Sequence, residues 1–102
     1  MGNRQLYRML KGDKKMYKIK VTAQRGKGKI RRMESAENYT TAEAVADFIE
    51  KSIERQYLLC AKGWGMVAQY EHVKNDVKTV DFFPVSPLLG SGLRLTFRVI
   101  EI

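Results

Sequence analysis

The chain has 102 residues, 44% of them hydrophobic, and carries 19 Lys/Arg against 11 Asp/Glu for a formal net charge of +8. That length bounds it at one domain, able to bury roughly two thirds of its unfolded surface without a disulfide or metal staple, and its single cysteine, Cys60, excludes an intrachain disulfide. The charge is split: residues 1–33 hold 12 bases and one acid, a local +11, while residues 34–102 hold 7 bases and 10 acids, a local −3. A strongly basic first third on a mildly acidic body points to a polyanionic partner, because charge density sets long-range attraction and does not set fold.

Residues 1–15 read as a basic N-terminal arm. Leu6, Met9 and Leu10 stand at helical spacing, but Gly12-Asp13 ends the pattern, and so short a helix is marginal alone. No 7–15-residue apolar stretch follows the first bases, so the arm lacks the form of a signal peptide. Leu6 stands where a myristoylation signal needs Ser or Thr. No apolar run approaches the ~18 residues of a membrane span. The expectation is a soluble cytoplasmic protein without membrane contact.

Residues 16–23 alternate. Tyr17, Ile19, Val21 and Ala23 take one face and Lys18, Lys20 and Thr22 the other, the pattern of a half-buried strand. Gln24-Arg25-Gly26-Lys27-Gly28 is a turn with two glycines free to take positive φ. Residues 29–35 form the return strand, with Ile30 on one face and Met33 on the other. The hairpin tip carries Arg25, Lys27 and Lys29.

Asn38-Tyr39-Thr40 matches a glycosylation sequon, but nothing else points to secretion and the same residues open a helix. Thr40 with Glu43 reads as a capping box. Val45, Phe48, Ile49, Ser52 and Ile53 then make one apolar stripe, with Asp47–Lys51 a favourable i,i+4 pair outside it. The spacing predicts a helix over 41 to about 58. Cys60 lies in an apolar run and reads as a buried structural thiol.

Three further strands are predicted. The first covers 65–73, with Val67, Gln69, Glu71 and Val73 opposite Met66, Ala68, Tyr70 and His72. A tight turn at Lys74-Asn75-Asp76 leads to the second, over 77–83. A loop with Pro84, Pro87, Gly90 and Gly92 precedes the third, over 93–102. There Leu93, Leu95, Phe97 and Val99 face the core while Arg94, Thr96 and Arg98 face away, and Ile100 and Ile102 fall on the polar side.

The order β-β-α-β-β-β predicts a single α+β domain over residues 16–102, a mostly antiparallel sheet with one helix packed on one face. One helix cannot cover both faces of five strands, so the second face is left for solvent or a partner.

Catalytic constellations are scarce. His72 is the only histidine, so a His-pair zinc site is excluded, and a Cys60–His72 dyad has no positional support. Gly26-Lys27-Gly28-Lys29 lacks the spacing of a phosphate-binding P-loop and no helix follows it. The expectation is a non-enzyme without metal or cofactor.

The basic set has a geometry of its own. If the first and last strands are neighbours, Lys18, Lys20, Arg94 and Arg98 form a patch on the uncovered face. The hairpin cations Arg25, Lys27, Lys29, Arg31 and Arg32 and the arm cations Arg4, Arg8, Lys14 and Lys15 would extend it. Such a patch suits nucleic-acid phosphates, DNA or RNA, through direct charge contact and counterion release. Tyr7, Tyr17 and Trp64 are the stacking candidates, although Tyr17 alternates with the core set and Trp64 reads as a plug between helix and sheet. The competing expectation is a protein-interaction or homo-oligomeric assembly domain. It rests on sheet-edge pairing, on Ile100 and Ile102, and on a loop that exposes Leu88 and Leu89.

Overall fold

The computed structural model describes residues 16–75, 77–86 and 90–102. The arm, with Arg4, Tyr7, Arg8, Lys14 and Lys15, lies outside the described residues, as do Leu88 and Leu89.

Strands β1 (Tyr17–Arg25), β2 (Ile30–Glu34), β3 (Val67–Lys74), β4 (Val77–Pro84) and β5 (Leu93–Glu101) form one antiparallel sheet in the order β2-β1-β5-β4-β3. Helix α1 (Ala42–Trp64) packs on one face of it. The expected α+β architecture and element order hold.

Alternation decides which side chains meet the helix. Tyr17, Ile19 and Val21 of β1, Leu93, Leu95, Phe97 and Val99 of β5, and Val80 and Phe82 of β4 are buried, as are Val45, Ile49, Ile53 and Cys60 of α1. Each of these apolar side chains contributes about 1.5–3 kcal/mol when fully withdrawn from water. Strand β1 pairs with β5 over its whole length, Tyr17 opposite Glu101 through Arg25 opposite Leu93. The core is therefore continuous across the middle of the sheet.

Where β2 ends, a side chain takes over its pairing. Ser35 is buried, its N–H donates to Ile19 O (2.8 Å), and its Oγ accepts from Ile19 N (3.1 Å) and donates to Glu37 O (2.9 Å). Tyr39 then bridges to Tyr17 through two backbone bonds of 2.7 and 2.8 Å.

Lys78 is the unexpected member of the interior. It stands in phase with Val80 and Phe82 on the helix side and is 2% exposed. Its Nζ lies 2.9 Å from Glu71 Oε1 on β3. A buried ammonium is tolerated only when it is paired, and the β3–β4 register delivers a carboxylate from the neighbouring strand.

The helix differs from its prediction at both ends. Its N-cap is Thr41, not Thr40: Thr41 has extended backbone (φ −125°, ψ 151°) and its Oγ1 accepts from Ala44 N at 3.1 Å. The capping-box pairing of Thr40 with Glu43 is not formed, since Glu43 falls in the first turn, where its charge still suits the helix dipole. At the other end the helix runs to Trp64 rather than stopping near 58. Gly63 is absorbed into it, and Gly65, at φ 78°, ends it with its N–H bonded to Ala61 O.

The capping correction is testable by urea denaturation. Thr41→Ala should cost about 1 kcal/mol, whereas Thr40→Ala should stay within about 0.5 kcal/mol of the parent. The reverse ranking would restore Thr40 as the cap.

Candidate nucleic-acid interface

The face of the sheet without the helix is built from the residues that alternate away from the core. The registers arrange them in rows across the strands. One row reads Glu34, Lys20, Arg98, Val77 from β2 to β4. The next reads Arg32, Thr22, Thr96, Thr79, His72. A third reads Ile30, Gln24, Arg94, Asp81, Tyr70. Lys18 stands opposite Ile100, and Phe83 opposite Ala68. With strands about 4.8 Å apart, the second and third rows cross the five strands in about 19 Å.

Strands β1 and β5 are neighbours, so Lys18, Lys20, Arg94 and Arg98 share this open face. They are not equivalent. Arg94 is held by Asp81, Nε to Oδ1 at 2.7 Å and Nη2 to Oδ2 at 3.3 Å. This two-point bond raises the guanidinium pKa above its ordinary value, the hydrogen bond contributing more than the charge alone. Lys18 Nζ lies 3.9 Å from Glu34 Oε1, a loose pair. Lys20 and Arg98 stand directly opposite each other and are exposed. Neither has an ion-pair partner among the described residues. Like charges facing each other across two inner strands destabilise a sheet.

The hairpin cations do not all join this face. Arg32 does, opposite Thr22. Arg31, opposite Ala23, and Arg25, opposite Leu93, belong to the helix side. There, with Lys29, they line a pocket of about 530 Å³ whose other walls include Met33 and Gln56. This second basic region exists because α1 lies nearest β3 and β4, and β2 is exposed along its whole length. Lys27 is exposed at the hairpin tip. The single patch drawn from the sequence is thus divided by the sheet into an open-face group and a helix-side group.

The tip itself is held in place. Gly26 takes φ 56° and its N–H donates to Gly92 O at 2.9 Å, while Gly28 N–H returns to Arg25 O at 2.9 Å. A Cβ on Gly26 would meet Ser91 at 2.9 Å, so glycine is required by conformation and by space.

The stacking candidates are corrected by their surroundings. Tyr17 is buried in the core, Trp64 is partly buried against it, and Tyr7 lies outside the described residues. The aromatic rings on the open face are instead Tyr70 and Phe83, 62% and 43% exposed, with centroids 6.0 Å apart and planes at 62°. Met66 and Val85 are exposed beside them, joined by a backbone bond from Val85 N to Met66 O. The sequence signal was present in the phase of each strand. Phe82 and Phe83 are adjacent, so one must face outward, and Tyr70 alternates against Val67 and Val73.

A Cys60–His72 dyad is not formed. Cys60 is buried under the helix, and His72 is exposed on the opposite face of the sheet. No helix among the described residues is long and apolar enough to cross a membrane. Comparison with known proteins adds no relative: no family profile, no curated protein and no solved structure matches the chain.

The placement of Lys20 opposite Arg98 predicts a cost in stability. Arg98→Thr should raise stability by about 0.2–1 kcal/mol at low salt. The gain should shrink at 1 M salt, where the screening length falls to about 3 Å. Denaturation at the two ionic strengths decides it: no gain at low salt would mean that the two cations do not interact.

Proposed function

We propose that the protein is a non-enzymatic binding module that contacts nucleic-acid phosphates, DNA or RNA, through the open sheet face. The observation that carries this reading is the Lys20–Arg98 pair, two exposed cations set opposite each other in neighbouring inner strands with no ion-pair partner among the described residues. Like charges placed directly opposite each other disfavour the sheet, and a phosphate bound between the two cations would offset that. Lys18 and Arg32 stand one position away and widen the positive field. The helix-side cations Arg25, Lys29 and Arg31, with Lys27 at the tip, lie at the hairpin end and supply a second region for the continuing backbone of a long polyanion. The net charge of +8 adds long-range steering.

The test is fluorescence anisotropy with short labelled oligonucleotides across a salt series. Binding should fall with salt on a log–log slope of roughly 0.9 per duplex phosphate contacted, or 0.7 on a single strand. Lys20→Glu with Arg98→Glu should lower affinity at least about tenfold at low salt and flatten the slope by roughly two units. Unchanged affinity in that double variant would sink the sheet-face reading.

A second reading, assembly between copies of the chain, is favoured by a different feature. Leu58 and Leu59 are 60% and 58% exposed on α1, beside Tyr57. Pairing through a sheet edge has less support, since β2 carries Arg31, Arg32 and Glu34 and β3 carries Glu71, His72 and Lys74, and charges on edge strands oppose pairing. Assembly through the helix predicts a mass in sedimentation equilibrium that rises with protein concentration and returns to the monomer value in Leu58→Glu. A monomer at every concentration removes this reading.

A further inference from the structure

The open face is not uniformly basic. Its β1–β5 side holds Lys18, Lys20 and Arg98, and its β3–β4 corner holds Tyr70, Phe83, Met66 and Val85. Beside that corner, across the threonine row from Lys20 and Arg98, lies a pocket of about 240 Å³, lined by Phe83, by Gln24, Asp81 and Arg94 on its polar side, and by Gly26, Gly92 and Leu93. We infer that this pocket and the neighbouring Tyr70 ring receive unpaired bases, so that the partner of the face is single-stranded nucleic acid, its phosphates on Lys20 and Arg98. This inference rests on the phosphate-binding reading above and adds the strandedness of the ligand.

Three features carry it. The first is the carboxylate. Asp81 faces the same side as the cations and would repel a phosphate, so a surface built for phosphate alone gains nothing from it. Beside a base it is useful, because base N–H groups, the N3–H of thymine and the exocyclic amino groups of the other bases, donate to carboxylates. Its two-point bond to Arg94 holds both groups in one plane and turns Arg94 from a free phosphate ligand into a fixed polar edge. Gln24 is fixed in the same way: its Nε2 donates to Gly28 O at 2.9 Å, which leaves its Oε1 as an acceptor.

The second feature is Gly92. A Cβ there would fall 2.5 Å from Phe83 Cδ1 and 2.6 Å from Cε1. The absence of a side chain lets the ring lie down against β5, with Tyr70 set against it edge-on. Phe83 is therefore a positioned ring that remains 43% exposed. Base–aromatic stacking of this kind tolerates any base, since each has a π-face.

The third is the relief of the face. Between the aromatic corner and the Lys20–Arg98 pair runs the row Thr22, Thr96, Thr79. These are short side chains that leave a shallow floor. Tyr70 and Arg94 are two strands apart, about 10 Å. Arg94 and Arg98 are four residues apart on β5, about 14 Å, so a strand running along the sheet would set a base of one nucleotide at the aromatic corner and the phosphate of another at the cation pair. A duplex offers the pocket no unpaired base, because its bases are stacked on one another and paired.

The experiment compares four ligands with the whole chain at one low ionic strength: a 12-mer of thymidylate, a 12-mer of abasic deoxyribose phosphate, a 12-base-pair duplex, and heparin. The thymidylate strand should bind about tenfold more tightly than the abasic strand, the effect of roughly one stacked base. Tyr70→Leu with Phe83→Leu should remove that tenfold difference and leave abasic binding and its salt slope unchanged. Tyr70→Leu alone, at a largely exposed ring, guards against a folding defect at Phe83 and should remove part of the difference. Equal binding of thymidylate and abasic strands, or tighter binding of the duplex, overturns the inference and leaves phosphate binding standing. No binding of any of the four overturns both.

Discussion

The first and last strands of this protein lie side by side, and the rest of the structure depends on that pairing. β1 and β5 run antiparallel over nine residues each, and between them they contribute seven of the buried apolar side chains. Without this pairing the sheet would part into the β1–β2 hairpin, too small to be stable alone, and the three strands β5, β4 and β3. With it, the helix needs to cover only one continuous apolar surface. The same pairing sets Lys20 opposite Arg98, so the contact that completes the core also brings two cations together on the open face. Core and candidate site are two sides of one register.

A single long helix explains the asymmetry of the molecule. It carries the chain from β2 at one edge of the sheet to β3 at the other, and its 23 residues span about 34 Å. It settles nearest β3 and β4, so the β2 end is left open on the helix side as well. Arg25, Lys29 and Arg31 occupy that gap, beside the exposed side chain of Met33. The positive charge at the hairpin end is thus a consequence of where the helix is absent.

Much of the fold was legible in the sequence because its strands are half-buried. Leu93, Leu95, Phe97 and Val99 declare their face by alternation alone, and so do Tyr17, Ile19 and Val21. The helix stripe of Val45, Ile49 and Ile53 is equally plain. The helix end was not legible, because Gly63 resembles a stop while the conformation that ends the helix belongs to Gly65, and because partial burial of Trp64 against the core outweighs the glycine's low propensity. The Thr40–Thr41 choice turned on one residue of backbone geometry that two adjacent threonines cannot encode. For the site, the alternation placed Lys18, Lys20, Arg94 and Arg98 on the outer face, but the strand order that makes them neighbours is a tertiary fact. So is the split of Arg31 from Arg32, adjacent residues sent to opposite faces. Tyr17 and Trp64 take the core positions that alternation and the flanking glycines indicated, while Tyr70 and Phe83, distant in sequence from the basic segment, reach the open face from the other hairpin.

Lys78 gives the molecule a built-in reporter. Its ammonium lies beneath the helix against Glu71, while Lys18, Lys20, Lys27, Lys29 and several others meet solvent. Reagents that acylate amines react only with nitrogens they can reach. In the folded chain they would modify the outer lysines at once and this one only when the β3 edge parts from the helix. The lag in its modification measures how often that edge opens, a local event distinct from global unfolding. A ligand bound across the open face would have to hold β3 and β4 together to lengthen the lag, so the chemistry of one interior amine reads out the stiffness of the sheet on which the candidate site is built.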